Sequence, residues 1–79
     1  MPELAGHLEE LVRRMVDRPE DVELEAIEEG GTTVFELHLD PEDLGKVIGR
    51  QGRTAAALRT LLDARGALES TRYDLDILD

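Results

Sequence analysis

The chain has 79 residues, of which 41% are hydrophobic and 35% charged, which is the balance of one globular domain with a small core. It contains no cysteine, and this excludes disulfides and cysteine-ligated metal sites. The formal net charge of −10 opposes non-specific attraction to nucleic acid or anionic lipid. No apolar run reaches the roughly 20 residues of a membrane span, and the first residues lack a signal-peptide pattern. We therefore expect a single cytoplasmic domain, residues 1–79.

The first half of the chain predicts a helix followed by a β-hairpin. Residues 4–16 carry apolar side chains three and four positions apart, as in an amphipathic helix, and Pro19 ends that helix. Residues 21–27 alternate with period two, Gly30-Gly31 supplies a turn, and residues 33–39 alternate again. The apolar face of the second strand consists of Phe35, Leu37 and Leu39.

The second half predicts two helices that meet at a glycine-bounded turn. Asp40 can cap the first helix, which must be short because Gly49 and Gly52 interrupt it. An apolar stripe then predicts a helix over residues 53–65, with Gly66 as its left-handed cap. At the turn and at the helix end, glycine allows backbone conformations that other residues rarely adopt.

Residues 72–78 alternate again and predict a third strand. The helical crossover between the second and third strands has about 30 residues, which is long enough to make these strands parallel. The predicted order is α-β-β-α-α-β, an α+β fold with a three-stranded mixed sheet and three helices packed on one face.

The charge is unevenly distributed along this order. Residues 44–62 carry four basic side chains and no acidic one, whereas the other 60 residues carry 5 basic and 19 acidic ones. Charges separated by more than about 8 Å are largely screened at physiological salt. A basic face can therefore bind an anion despite the negative total.

This basic segment contains the spacing G-x-x-G, in Gly49-Arg50-Gln51-Gly52. Two glycines let the backbone turn sharply and approach a ligand, and the N–H groups that begin the next helix favour phosphate. Arg50 can form a fork on phosphate, and Gln51 can donate to phosphate or sugar. The spacing alone leaves a second interpretation open, in which the turn only joins two helices and its arginines are solvated.

The run from Asp40 to Arg53, together with the element order, resembles a type II KH domain. It is most similar to the small bacterial single-KH RNA-binding proteins of the KhpA type, and the similarity spans the whole chain. In KH domains the G-x-x-G loop clamps the backbone of about four single-stranded nucleotides, and the bases lie in an apolar groove. The resemblance therefore implies an RNA-binding loop at residues 49–52.

The roles implied by the resemblance can be assigned to individual residues. Gly49, Arg50, Gln51 and Gly52 would form the clamp. The flanking residues are Val47 and Ile48, which would help to form the groove, and Lys46 and Arg53, which would contact phosphate. The residues themselves leave open whether Lys46 binds RNA and whether Val47 or Ile48 belongs to the core. They favour a solvated charge for Arg59.

The resemblance also implies an RNA chaperone or adaptor that is not an enzyme. Such proteins associate with themselves and with a larger KH-containing partner, and they influence RNA metabolism and cell elongation. Since the two aromatic residues, Phe35 and Tyr73, fall on core faces, base contacts must be aliphatic, and we expect affinity around micromolar or poorer for an isolated copy. Whether the ligand is RNA or single-stranded DNA stays open.

Other chemistries have little support. The Walker pattern is missing and G-x-G-x-x-G fails, so no nucleotide cofactor is expected. His7 and His38 have no metal-ligand spacing and are interpreted as surface or boundary residues, and the carboxylates are interpreted as solvating groups. The alternatives are a protein-interaction subunit that uses the same helix-loop-helix face with little RNA binding, and an enzyme fragment.

Overall fold

A computed structural model describes residues 2–78, which form three helices and three strands. The helices are α1 (Pro2–Arg13), α2 (Leu44–Ile48) and α3 (Arg53–Glu69), and the strands are β1 (Glu23–Glu29), β2 (Thr32–His38) and β3 (Arg72–Leu78). Short 3-10 turns occupy Pro19–Asp21, Pro41–Asp43 and Arg50–Gly52. This confirms the predicted order α-β-β-α-α-β. No helix among these residues is long and apolar enough to cross a bilayer.

The sheet has the order β1-β2-β3, with an antiparallel and a parallel pair. Gly30 and Gly31 both have positive φ angles, 55° and 86°, which is the requirement of the tight hairpin turn between β1 and β2. In the parallel pair Phe35 lies opposite Leu75. The mixed sheet predicted from the crossover length is therefore confirmed.

The core lies between the three helices and one face of the sheet. The rings of Phe35 and Tyr73 stack with centroids 5.5 Å apart, an arrangement that adds to the burial of both rings. Helix α1 contributes Leu8 and Val12, and α3 contributes Leu58. The remaining buried apolar residues are Val22, Leu37, Leu39, Val47, Ala55, Leu62 and Leu75. Because this cluster reaches both α2 and α3, it fixes the two helices that flank the G-x-x-G turn.

The ends of two helices differ from the sequence predictions. Helix α1 ends at Arg13 and does not extend to Pro19. The N–H groups of Arg14 and Met15 still bond to α1 carbonyls, whereas those of Asp17 and Arg18 donate to the Asp43 carboxylate. Helix α3 runs through Gly66 to Glu69, and Ser70 is the left-handed cap, with φ 54°. The prediction that Gly66 caps the helix is therefore wrong.

Gly66 has a different structural reason to be glycine. The segment after α3 folds back so closely that a Cβ atom at Gly66 would lie 2.6 Å from the carbonyl oxygen of Thr71. The Gly66 carbonyl also accepts a hydrogen bond from the Thr71 N–H at 2.9 Å. Glycine is thus required by the approach of the chain that leads into β3.

We expect Gly66→Ala to lower the free energy of unfolding by about 1–3 kcal/mol, because the added methyl overpacks against backbone that cannot move freely. Gly6→Ala is the matched control, since it lies in α1 and its Cβ would meet nothing within 4 Å. That change should raise the free energy by about 0.5–1 kcal/mol. Urea unfolding measures both, and stabilisation by Gly66→Ala would contradict the close approach.

Candidate nucleic-acid interface

The G-x-x-G turn is built from a glycine at each end. Helix α2 ends at Ile48, and Gly49 takes φ 80° and ψ 170°, which side chains other than hydrogen rarely allow. A Cβ atom at Gly49 would lie 2.2 Å from the hydroxyl oxygen of Thr54. Gly52 is left-handed, with φ 73°, and its missing Cβ faces open space. Glycine is therefore needed at Gly49 because of its positive φ and because Thr54 leaves no room for a side chain. At Gly52 it is needed only because of the positive φ.

Gln51, between the two glycines, is also left-handed, with φ 57° and ψ 25°. Such a conformation costs a non-glycine residue of order 1–3 kcal/mol, and residues of this kind cluster at ligand-binding positions. The tight bend that results leads directly into α3 at Arg53.

The N-terminus of α3 is open toward this bend. Gly52 occupies the capping position, where a side-chain oxygen would normally satisfy an N–H group of the first turn. Glycine has no such oxygen. The Arg53 N–H donates to the Arg50 carbonyl, and the N–H groups that follow it in the first turn of this 17-residue helix have no side-chain cap; the helix dipole adds positive potential there. The arrangement suits a phosphate group.

Four exposed side chains surround the bend. The side chains of Arg50, Gln51 and Arg53 are exposed, and Ile48 is 39% exposed. Within residues 2–78 no carboxylate lies within ion-pairing distance of Arg50 or Arg53. The loop therefore presents two guanidinium groups and an amide next to an aliphatic side chain.

Two of the residues proposed from the sequence lie elsewhere. Val47 has no exposed surface and belongs to the core. It therefore packs beneath α2 and does not line the surface of the loop. The Lys46 ammonium lies 3.1 Å from the Asp17 carboxylate and 3.5 Å from that of Asp43. The structure thus brings Ile48, Arg50 and Arg53 to the surface around the bend and turns Lys46 toward two acidic groups.

Asp43 is the residue that the sequence analysis missed. It was included among solvating carboxylates, but it is 2% exposed and accepts the backbone N–H groups of Asp17 at 3.2 Å and Arg18 at 3.1 Å. These donors lie more than twenty positions away, and no local pattern shows that they meet. The sequence did contain one indication: Lys46 follows Asp43 by three residues, which is the spacing of an ion pair on one helix face.

The surroundings of Asp43 shift its pKa in opposing directions. Burial raises the pKa, but the N–H groups of Asp17 and Arg18 and the Lys46 ammonium together hold it below its ordinary value. The hydrogen bond and charge of Asp17 raise the pKa of Lys46, and Asp43 adds to this increase. Both groups are therefore charged at neutral pH, and they connect the segment after α1 to α2.

Arg59 also has a defined partner. The sequence analysis favoured a solvated charge, whereas the guanidinium donates a hydrogen bond to the carbonyl of Leu75 at 3.2 Å. This contact ties α3 to β3. It does not bring Arg59 into the group of side chains around the bend.

In the part of the chain that the structure describes, one group has the composition of a metal-ligand set. Oxygen and nitrogen atoms of Glu25, Glu36 and His38 lie within 4.8 Å of one another. These residues lie on the sheet face opposite the helices, with Glu25 directly across from Glu36. The group is separate from the G-x-x-G turn and supplies nothing to it.

Comparison with known proteins identifies the family. A sequence model of the KhpA/KhpB KH domain matches residues 6–77. This chain belongs to that family. An RNA-binding protein KhpA of Borreliella burgdorferi is 44% identical over 72 residues, covering 91% of this chain and 88% of the relative. One from Leifsonia xyli is 45% identical over 76 residues, covering 96% and 97%. The KhpA of Mycobacterium tuberculosis is 52% identical over 59 residues, covering 75% and 74%.

The family confirms the resemblance drawn from the residues around the G-x-x-G spacing. It also confirms the fold class, since the helices and the mixed sheet form a KH domain. The individual roles of the loop residues stay predictions.

Asp43→Asn gives a test of the buried carboxylate. The pKa of Asp43 is lower in the folded chain, so its stabilisation is present above the unfolded pKa of about 3.9 and is lost as pH falls through the folded value. We expect the variant to unfold at lower urea than the wild type at pH 7, and the two midpoints to converge as the pH falls below about 4 and through the lowered pKa of Asp43.

Asp21→Asn controls for the loss of one acidic charge, because Asp21 is exposed. A difference between wild type and Asp43→Asn that stays constant from pH 7 to pH 2.5 would show that the carboxylate charge of Asp43 does not stabilise the fold.

Proposed function

We propose that residues 1–79 form a single, non-enzymatic KH domain that holds short single-stranded RNA by its backbone at Gly49–Gly52. The observation that carries this proposal is the bend itself, which joins an uncapped helix N-terminus to exposed side chains that can bind phosphate. The KhpA relatives are named RNA-binding proteins, and this supports RNA as the ligand.

Each loop residue has a role that follows from its position. Gly49 and Gly52 let the sugar–phosphate chain approach the backbone. Arg50 binds phosphate as a fork, and Gln51 donates to phosphate or sugar. Arg53 and Ile48 flank these contacts: Arg53 adds a second charge, and Ile48 offers an aliphatic surface to a base. Val47 contributes from the core by holding α2 in place.

The affinity of an isolated copy should be modest. A contact with one phosphate of a single strand contributes about 0.7 to the slope of log K against log salt, and two or three contacts give a shallow dependence. The net charge of −10 restricts binding to the neighbourhood of the loop, because charges beyond about 8 Å are screened. This pattern fits a chaperone or adaptor in the cytoplasm that acts together with a partner. The implied link to cell elongation stays a prediction.

The variant Arg50→Asp/Gln51→Asp tests the clamp. We expect at least a tenfold loss of affinity for fluorescent single-stranded RNA, because the variant places two negative charges where phosphate binds. The circular dichroism spectrum should not change, since both side chains are exposed.

Arg14→Asp/Ala67→Asp is the matched control, since it makes the same change in charge at exposed positions just after α1 and in the C-terminal part of α3, away from the bend. Its effect on RNA affinity should stay below threefold. Equal affinity of wild type and the loop variant would refute the clamp and favour a protein-interaction subunit instead, and reproducible turnover would favour an enzyme.

We further propose that two copies associate through a shallow apolar groove between α1 and α3. On its rim Leu61 is 63% exposed and Leu11 is 44% exposed, so two large aliphatic side chains are left in contact with water. The lining residues are Leu4, His7, Leu8, Leu11, Leu58, Leu61 and Leu62. A small domain buries a limited fraction of its surface alone, and a second copy would cover these leucines. The expected larger KH-containing partner stays a prediction.

Leu61→Asp should raise the dissociation constant of the dimer at least tenfold, because association would bury an unpaired carboxylate. Leu68→Asp is the matched control: it is in the same helix and 85% exposed, but it does not line the groove. Sedimentation equilibrium measures both. Dimers of equal strength for Leu61→Asp and the wild type would exclude this groove as the interface.

A further inference from the structure

The single lysine of the chain, Lys46, lies between two carboxylates of very different exposure. Its ammonium is 3.1 Å from Asp17 and 3.5 Å from Asp43. The side chain of Asp43 is 3% exposed and that of Asp17 is 78% exposed, while Lys46 itself is 43% exposed. One partner is therefore buried and the other is at the surface.

The buried partner is fixed in place. Asp43 accepts the backbone N–H groups of Asp17 and Arg18 and lies at the N-terminal edge of α2. A buried carboxylate without its cation carries a large penalty, so Asp43 holds Lys46 whether or not a ligand is present.

The exposed partner is replaceable. Ion pairs at the surface are weak and are screened by salt, and a phosphate oxygen can take the position of the Asp17 carboxylate at the ammonium. The backbone N–H of Asp17 donates to Asp43, which keeps this carboxylate near Lys46 even when its side chain turns away. Asp17 is thus a permanent local competitor.

The backbone of Lys46 is close to the proposed clamp, whereas its side chain shares an acidic recess with Asp17, Glu20, Glu42, Asp43 and Arg18. Lys46 lies three residues before Gly49, about 4.5 Å along the helix axis, and a KH loop engages about four nucleotides. A strand held at Gly49–Gly52 therefore has a further phosphate available for Lys46.

We propose that Asp17 occupies the position of an RNA phosphate at Lys46, and that RNA replaces Asp17 while Asp43 retains the other side of the ammonium. The inference rests on the proposed RNA binding at the G-x-x-G loop. Asp17 then acts through Lys46: it lowers the affinity of the domain for RNA and makes RNA binding less dependent on salt. An RNA strand must then be long enough to place one phosphate at Lys46 while others are bound at Gly49–Gly52.

A double-mutant cycle tests the exchange with fluorescein-labelled oligouridine of twelve nucleotides. We expect Asp17→Asn to tighten binding three- to tenfold and to steepen the salt slope by up to about 0.7. Asp21→Asn removes the same charge from an exposed site in the next turn and should change affinity less than twofold. In a Lys46→Met background the gain from Asp17→Asn should fall below twofold, because the residue through which it acts is gone.

Lys46 also provides a readout that does not depend on affinity. As the only lysine, it is the single side-chain amine that an N-hydroxysuccinimide ester can acylate, and its peptide is identified by mass spectrometry. We expect at least threefold faster acylation in Asp17→Asn, and protection of wild-type Lys46 by saturating oligouridine.

The outcomes separate this inference from the proposed function. Equal gains for Asp17→Asn and Asp21→Asn, a gain that persists with Lys46→Met, or oligouridine binding that leaves Lys46 acylation unchanged would overturn the exchange while the clamp stands. If the wild type binds no oligouridine and Arg50→Asp/Gln51→Asp has no effect, the clamp fails, and the exchange fails with it.

Discussion

A buried carboxylate connects the segment after α1 to the start of α2. Asp43 accepts N–H groups from the segment that follows α1 and lies directly before α2. An α-helix of only five residues has little stability of its own, so its direction depends on such contacts and on Val47 in the core. Since the bend at Gly49 begins where α2 ends, the position of the proposed RNA clamp depends on the Asp43 carboxylate.

The sequence predicted those features that depend on neighbouring residues. Strand β3 has the predicted bounds, because alternation over seven residues is a local signal. Asp40 accepts a hydrogen bond from the N–H of Glu42, but it caps the 3-10 turn at Pro41–Asp43 rather than α2 itself, which begins at Leu44. The glycine-bounded bend is present between α2 and α3. The family is confirmed as well. These features need no knowledge of the rest of the fold.

The sequence did not predict features that depend on distant segments. Gly66 was interpreted as a helix cap because glycine commonly ends helices, yet its role comes from Thr71 folding back on it. Asp43 was interpreted as solvated because most carboxylates are, and its donors are more than twenty residues away. The surroundings of Lys46 follow from the same contact. In each case the spacing within one element carried no information about which segment packs against it.

Strand β3 has β2 on one side only, so its other margin is exposed to pairing with a foreign strand. Arg59 reaches across from α3 and takes up the carbonyl of Leu75 midway along this strand. The same strand carries the ion pair of Arg72 and Asp74 and the exposed, charged Asp76. Arg59 thus occupies a backbone acceptor of β3 that β2 does not pair, and an occupied acceptor is unavailable to the ladder of a foreign strand.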